Sequence, residues 1–67
     1  MSISKCEKYL VGTSSIKDID NLYSKMIEYA HNNKIQIRSW FTEVYSEDKV
    51  EIYIEAFDLE EVNTDYL

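Results

Sequence analysis

The sequence predicts a small α+β domain in which one helix covers a three-stranded antiparallel sheet, in the order β-α-β-β. Three observations lead to this fold class. The chain has 67 residues, enough for a single domain. An apolar stripe of helical period follows a serine-rich turn, and apolar and polar residues alternate from Val50 to Phe57. We therefore expect one core over about residues 4–57 and an acidic tail over residues 58–67.

The first strand is expected to run from Ser4 to Gly12. Its second half, Tyr9-Leu10-Val11, contains residues that favour extended structure. The cluster Gly12-Thr13-Ser14-Ser15 then supplies turn-forming residues, so the strand is predicted to end there.

The helix is predicted to run from Ile16 to Asn32. Its apolar side chains recur at spacings of three and four and so share one helical face: Ile16, Ile19, Leu22, Tyr23, Met26, Ile27 and Ala30. Ser15 and Asp18 fit a capping box at its start. At its end, Asn32-Asn33 supplies a residue type that tolerates the left-handed conformation.

Two strands joined by a polar turn are predicted to follow as an antiparallel hairpin. The first runs from Ile35 to Tyr45 and is expected to bulge at Ser39-Trp40-Phe41, where aromatic residues are adjacent. The second runs from Val50 to Phe57 and turns Val50, Ile52, Ile54 and Ala56 to one face. The reverse, uncovered face is expected to carry Glu43 or its neighbours, with Tyr45, Tyr53, Glu55 and Phe57.

The charge balance argues against direct binding of nucleic acid. Thirteen acids face seven bases, for a net charge of −6, and no basic cluster exceeds two residues. No apolar run approaches the roughly 18 residues of a membrane span, and no signal peptide is visible. The single cysteine, Cys6, cannot form an internal disulfide. We expect a cytoplasmic protein with no cofactor, no metal site and no contact with a membrane.

Four segments carry a resemblance to a known family: Leu22 to Asn33, Ile35-Gln36-Ile37, Glu43-Val44-Tyr45 and Glu51-Ile52-Tyr53-Ile54. In this order and spacing they resemble one βαββ half of a GyrI-like domain, the effector-binding module of many MerR-type and AraC-type bacterial transcription regulators. Glu43-Val44-Tyr45 corresponds to the family's Glu-x-Tyr signature. The resemblance spans about two-thirds of the chain, from Val11 to Ala56. The chain departs from the family at Ser39-Trp40, Thr13-Ser14 and Glu55.

The resemblance implies a ligand-sensing module for lipophilic or cationic small molecules. Glu43 is then expected at the base of the ligand cavity, with Glu55 adding negative charge. Aromatic side chains would line the walls and contribute roughly 0.5–2 kcal/mol for each good cation–π contact: Tyr45, Tyr53, Trp40 and Phe57. The open alternatives are that Glu43 is a solvated strand residue and that the aromatics belong to the core or to a dimer interface.

Two other functions stay open. An acidic protein-interaction module of the gyrase-inhibitor type would dock on a basic partner. A small hydrolase using a Glu and a Tyr ranks last, because the sequence shows no pair of nucleophile and base, so we do not expect an enzyme. The family has two βαββ modules where this chain has one, and a core this small usually needs additional support. A homodimer is therefore expected.

Overall fold

A computed structural model of the protein describes residues 1–58, which form four antiparallel strands and one helix. The elements are β1 (Ser2–Cys6), β2 (Tyr9–Ser15), α1 (Ile19–Asn32), β3 (Ile35–Ser46) and β4 (Lys49–Asp58). The strands lie side by side in the order β1-β2-β4-β3. The small α+β class is confirmed, but the sheet has four strands and not three. Asp58 is the last residue of β4, and the rest of the expected acidic tail lies outside the described residues.

The additional strand comes from the segment predicted as one strand, Ser4 to Gly12. The chain reverses at Glu7-Lys8, so that Cys6 pairs with Tyr9 and the two short strands form a hairpin. Glu7 makes this turn in the left-handed region, with φ of 53°. No Gly, Pro, Asn or Asp marks this turn, so it has none of the residue types by which turns are usually recognised. The element order is therefore β-β-α-β-β.

The helix ends at Asn32 as predicted but begins three residues later, and the conformation beyond each end differs from the expected caps. Residues Ile16–Asp18 form a 3₁₀ turn before α1, and the Ser15 hydroxyl lies 3.4 Å from the Asp18 carboxylate instead of capping a helix amide. At the other end Asn33 is not left-handed; Lys34 is, with φ of 55°. No helix among residues 1–58 is long and apolar enough to cross a membrane.

The core lies between α1 and one face of the sheet. The helix contributes Leu22, Met26 and Ala30, and β4 contributes the predicted inward set of Val50, Ile52, Ile54 and Ala56, all buried. Gly12 of β2 faces α1 at a point where the strand and the helix lie very close together. A Cβ atom there would lie 2.5 Å from Met26 Sδ and 2.9 Å from Leu22 Cδ1. The single glycine of the chain therefore serves close packing.

The predicted irregularity in β3 is present between Ile37 and Phe41. Ile37 pairs with Ala56 and Phe41 with Ile54, so β3 takes four steps where β4 takes two. A bulge of one residue would reverse the facing of all later side chains, but two extra residues keep it unchanged. Glu43 pairs with Ile52 and therefore lies on the helix side of the sheet, as do Phe41 and Tyr45. The prediction that Glu43 and Tyr45 share the reverse face with Tyr53 is wrong.

Candidate functional site

Two tyrosine hydroxyls converge on the Glu43 carboxylate at the open edge of the helix–sheet interface. The Tyr45 hydroxyl donates to Oε1 at 2.6 Å, and the Tyr23 hydroxyl donates to Oε2. The ring of Phe41 meets that of Tyr23 edge to face, with centroids 5.4 Å apart and planes at 74°. We call Tyr23, Phe41, Glu43 and Tyr45 the tyrosine–glutamate cluster.

The local fold explains why these side chains meet. Phe41, Glu43 and Tyr45 alternate along β3 and therefore point to the same face of the sheet. Tyr23 follows the buried Leu22 in α1 and is itself half-buried, so its ring packs at the margin of the core while its hydroxyl reaches β3. The amide of Ile16 donates to the carbonyl of Asp48 at 2.8 Å. This bond ties the start of the helical segment to the β3–β4 turn, close to the cluster.

The hydrogen bonds of the cluster fix its charge. The bond from Tyr23, followed by that from Tyr45, lowers the pKa of Glu43, and the opposing effect of burial is smaller. Burial, followed by the bond to Glu43, raises the pKa of Tyr23 well above its ordinary value, and the bond to Glu43 raises the pKa of Tyr45. At neutral pH the cluster is therefore one carboxylate anion with two neutral phenols.

This state favours binding over proton transfer. A general acid or base works best with a pKa near the operating pH, and all three shifts move away from neutrality. A fixed anion beside aromatic rings attracts cations, both by charge and through the negative faces of the rings. Phe41 and Tyr45 are each about half exposed, at 51% and 53%, so a ligand can reach them from solvent.

The six site residues predicted from sequence do not form one site. Of these, Glu43 and Tyr45 meet in the cluster. Three others lie on the opposite face of the sheet through their places in β4: Tyr53, Glu55 and Phe57. The sixth, Trp40, lies in the irregular part of β3 and is 75% exposed.

The reverse-face residues have partners of their own. The ring of Tyr53 meets that of Tyr9 edge to face at 6.4 Å. The guanidinium of Arg38 lies 3.8 Å from Glu55 and 5.1 Å from the centroid of Phe57. Both members of the Arg38–Glu55 pair are largely exposed, so the pair adds little stability. Glu55 therefore lies on the opposite face of the sheet from the cluster and is not part of it.

Sequence reasoning missed Tyr23 and Phe41 as members of the site. The sequence pattern places Tyr23 in the apolar stripe of the helix, although a phenol at the margin of a core normally needs a hydrogen-bond partner. That requirement was the available signal. Among residues 1–58, no group of three or more His, Cys, Asp or Glu side chains is placed to hold a metal ion.

Comparison with protein-family models, with curated proteins and with solved structures finds nothing that matches this chain. The tyrosine–glutamate cluster is therefore the main structural feature from which a function can be inferred.

Proposed function

We propose that this protein is a small-molecule-binding module for organic cations, of the effector-binding kind found in bacterial transcription regulators. The observation that supports this function most directly is the Glu43 carboxylate, held by the Tyr23 and Tyr45 hydroxyls beside exposed aromatic rings. The resemblance of Glu43-Val44-Tyr45 to the Glu-x-Tyr signature of GyrI-like domains supports the same function.

The hydrogen bonding of Glu43 indicates which cations fit best. Each carboxylate oxygen already accepts a hydrogen bond from one phenol hydroxyl. A ligand whose charge is delocalised or shielded by carbon needs no further acceptor on Glu43 and gains from contact with the rings of Phe41 and Tyr45. We therefore infer a preference for lipophilic and quaternary cations over primary amines, whose N–H groups need strong acceptors.

A titration with tetraphenylphosphonium tests the proposal, with the fluorescence of the single tryptophan, Trp40, and of the tyrosines as the signal. We expect saturable binding by the unmodified protein. Glu43→Gln keeps the size of the side chain and removes its charge, and should weaken binding about tenfold or more.

Glu51→Gln is the matched control. Glu51 is also a half-buried strand glutamate with a tyrosine hydroxyl nearby, that of Tyr53 at 3.5 Å, but it lies on the reverse face. Its substitution should leave binding unchanged. Equal weakening by both substitutions would indicate a general charge effect, and unchanged binding by Glu43→Gln would rule out the proposed site.

A further inference from the structure

Within residues 1–58, the outer edge of β3 has no paired strand. β3 is the last strand in the sheet order, and no strand among residues 1–58 pairs with its other side. After the bulge, the stretch Phe41–Ser46 stays in continuous register with β4. Because alternate residues of an antiparallel strand direct their backbone N–H and C=O groups to opposite sides, every second residue of this regular stretch points these groups outward, and they have no strand partner in the described part of the chain.

This edge carries only part of the usual protection against pairing. Proteins commonly guard edge strands with proline, lysine, a bulge or an inward-pointing charge; Phe41–Ser46 contains no proline or lysine, the bulge precedes it, and Glu43 is its one charged residue. Of the eight exposed large hydrophobic side chains in the described residues, four lie on β3, namely Trp40, Phe41, Val44 and Tyr45. The edge therefore offers backbone groups for pairing with apolar surface on both sides of them.

The distribution of charge indicates what the edge would accept. Residues 40–58, the bulk of the β3–β4 hairpin, contain six acids and one base, Lys49, whereas residues 1–39 contain four acids and six bases. A basic chain gains from this field, and its lysine or arginine side chains can also stack on Trp40 and Phe41. A second copy would bring a hairpin of the same charge against the edge and would be repelled.

We propose that the free edge of β3 binds an extended, basic segment of another protein by strand addition, with Phe41–Ser46 as the template. Main-chain hydrogen bonds supply the attachment, and the acidic hairpin with its exposed aromatics selects basic sequences. This docking uses the backbone of β3 and so does not depend on cation binding at Glu43.

The probe is a synthetic peptide of alternating lysine and valine, titrated against the full chain with Trp40 fluorescence and amide NMR shifts as readouts. We expect shifts concentrated at Phe41–Ser46 and affinity that falls with added salt. Methylation of alternate amide nitrogens keeps the charge and removes the donors on one edge of the peptide, so it should weaken binding about tenfold or more.

Two variants of equal charge change locate the edge. Val44→Lys places a base on β3 beside the bound segment, whereas Ile27→Lys places one on the exposed side of α1; Val44 is 45% exposed and Ile27 57%. We expect Val44→Lys to weaken peptide binding several-fold more than Ile27→Lys does, with both variants folded by circular dichroism.

Equal effects of the two substitutions, or undiminished binding of the methylated peptide, would overturn the proposal. So would light scattering that shows dimers which Val44→Lys alone dissociates, since the occupant of the edge would then be a second copy.

Discussion

At the scale of single residues, the state of Glu43 depends most on the hydroxyl of Tyr23. That bond is the largest cause of the lowered pKa of Glu43, ahead of the bond from Tyr45. A carboxylate whose pKa is lower in the folded state stabilises the fold above its unfolded pKa, and this contribution is lost as the pH falls through the folded value. For Glu43 the loss therefore begins near its ordinary pKa of 4.5 and continues below it.

Tyr23→Phe should raise the pKa of Glu43 more than Tyr45→Phe does, because it removes the stronger of the two bonds while keeping the ring against Phe41. The measurement is an NMR titration of the side-chain carboxyl carbon of Glu43 in the three proteins. An unchanged pKa in Tyr23→Phe, with the fold intact, would mean that this hydrogen bond does not form in solution.

At the scale of elements, three short connections use residues that are not glycine in the left-handed region. These are Glu7, Lys34 and Glu47, with φ of 53°, 55° and 52°. The conformation costs an L-residue with a Cβ atom roughly 1–2 kcal/mol. The only glycine of the chain is at Gly12, where the helix approaches β2 too closely for a side chain. Glycine is thus absent from the turns that would ordinarily contain it.

Lys34→Gly should stabilise the protein by about 0.5–1 kcal/mol, because glycine adopts the left-handed conformation without steric cost. The same substitution at Lys25, within α1, should destabilise it by about 1 kcal/mol, since glycine weakens helix interiors. Urea unfolding of both variants tests the pair. A loss of stability in Lys34→Gly equal to that in Lys25→Gly would contradict the explanation.

Gly12→Ala should destabilise the protein by about 1–3 kcal/mol, because the new methyl group would overlap the side chain of Met26. In a Met26→Ala background the same change should cost clearly less, since the overlapping sulfur is gone. A thermodynamic cycle of the two single variants and the double variant measures this coupling. Equal costs in both backgrounds would show that overlap with Met26 is not the cause.

The unusual turns also explain how far the sequence could predict the fold. The helix and β4 could be predicted from the sequence because each shows a regular spacing of apolar residues, and the structure contains both. The turn at Glu7-Lys8 carries no turn-forming residue, so one strand was predicted where two exist. The site could be predicted only in part: the facing of Glu43 depends on whether the bulge holds one extra residue or two, and that number is set by pairing with β4.

At the scale of the whole molecule, charge is divided unevenly along the chain. Residues 40–58 of the β3–β4 hairpin are strongly acidic, whereas residues 1–39 carry more bases than acids. Like charges that folding brings together repel, and added salt screens this repulsion over a distance of about 10 Å at 0.1 M ionic strength. We therefore expect moderate salt to raise the free energy of unfolding.

Charge reversal at two matched turns tests this expectation. Glu7 and Glu47 are both exposed, both left-handed and both the first residue of a tight turn, but Glu47 lies in the acidic hairpin and Glu7 lies between Lys5 and Lys8. At low salt, Glu47→Lys should raise the urea midpoint and Glu7→Lys should lower it, and the difference should shrink as salt is added. The same change in both variants would refute a role for the uneven charge.

The paired extra residues of β3 restrict how the length of this strand can vary. Deletion of Trp40 alone would leave one extra residue, and unless that residue forms a one-residue bulge opposite Glu55, Glu43 and Tyr45 would turn to the reverse face, out of reach of Tyr23. Deletion of Ser39 together with Trp40 would shorten the strand but leave Glu43 able to accept the hydrogen bond from Tyr23. Natural or engineered variants that keep the binding chemistry should therefore keep Phe41 opposite Ile54, whatever number of residues they gain or lose at the bulge.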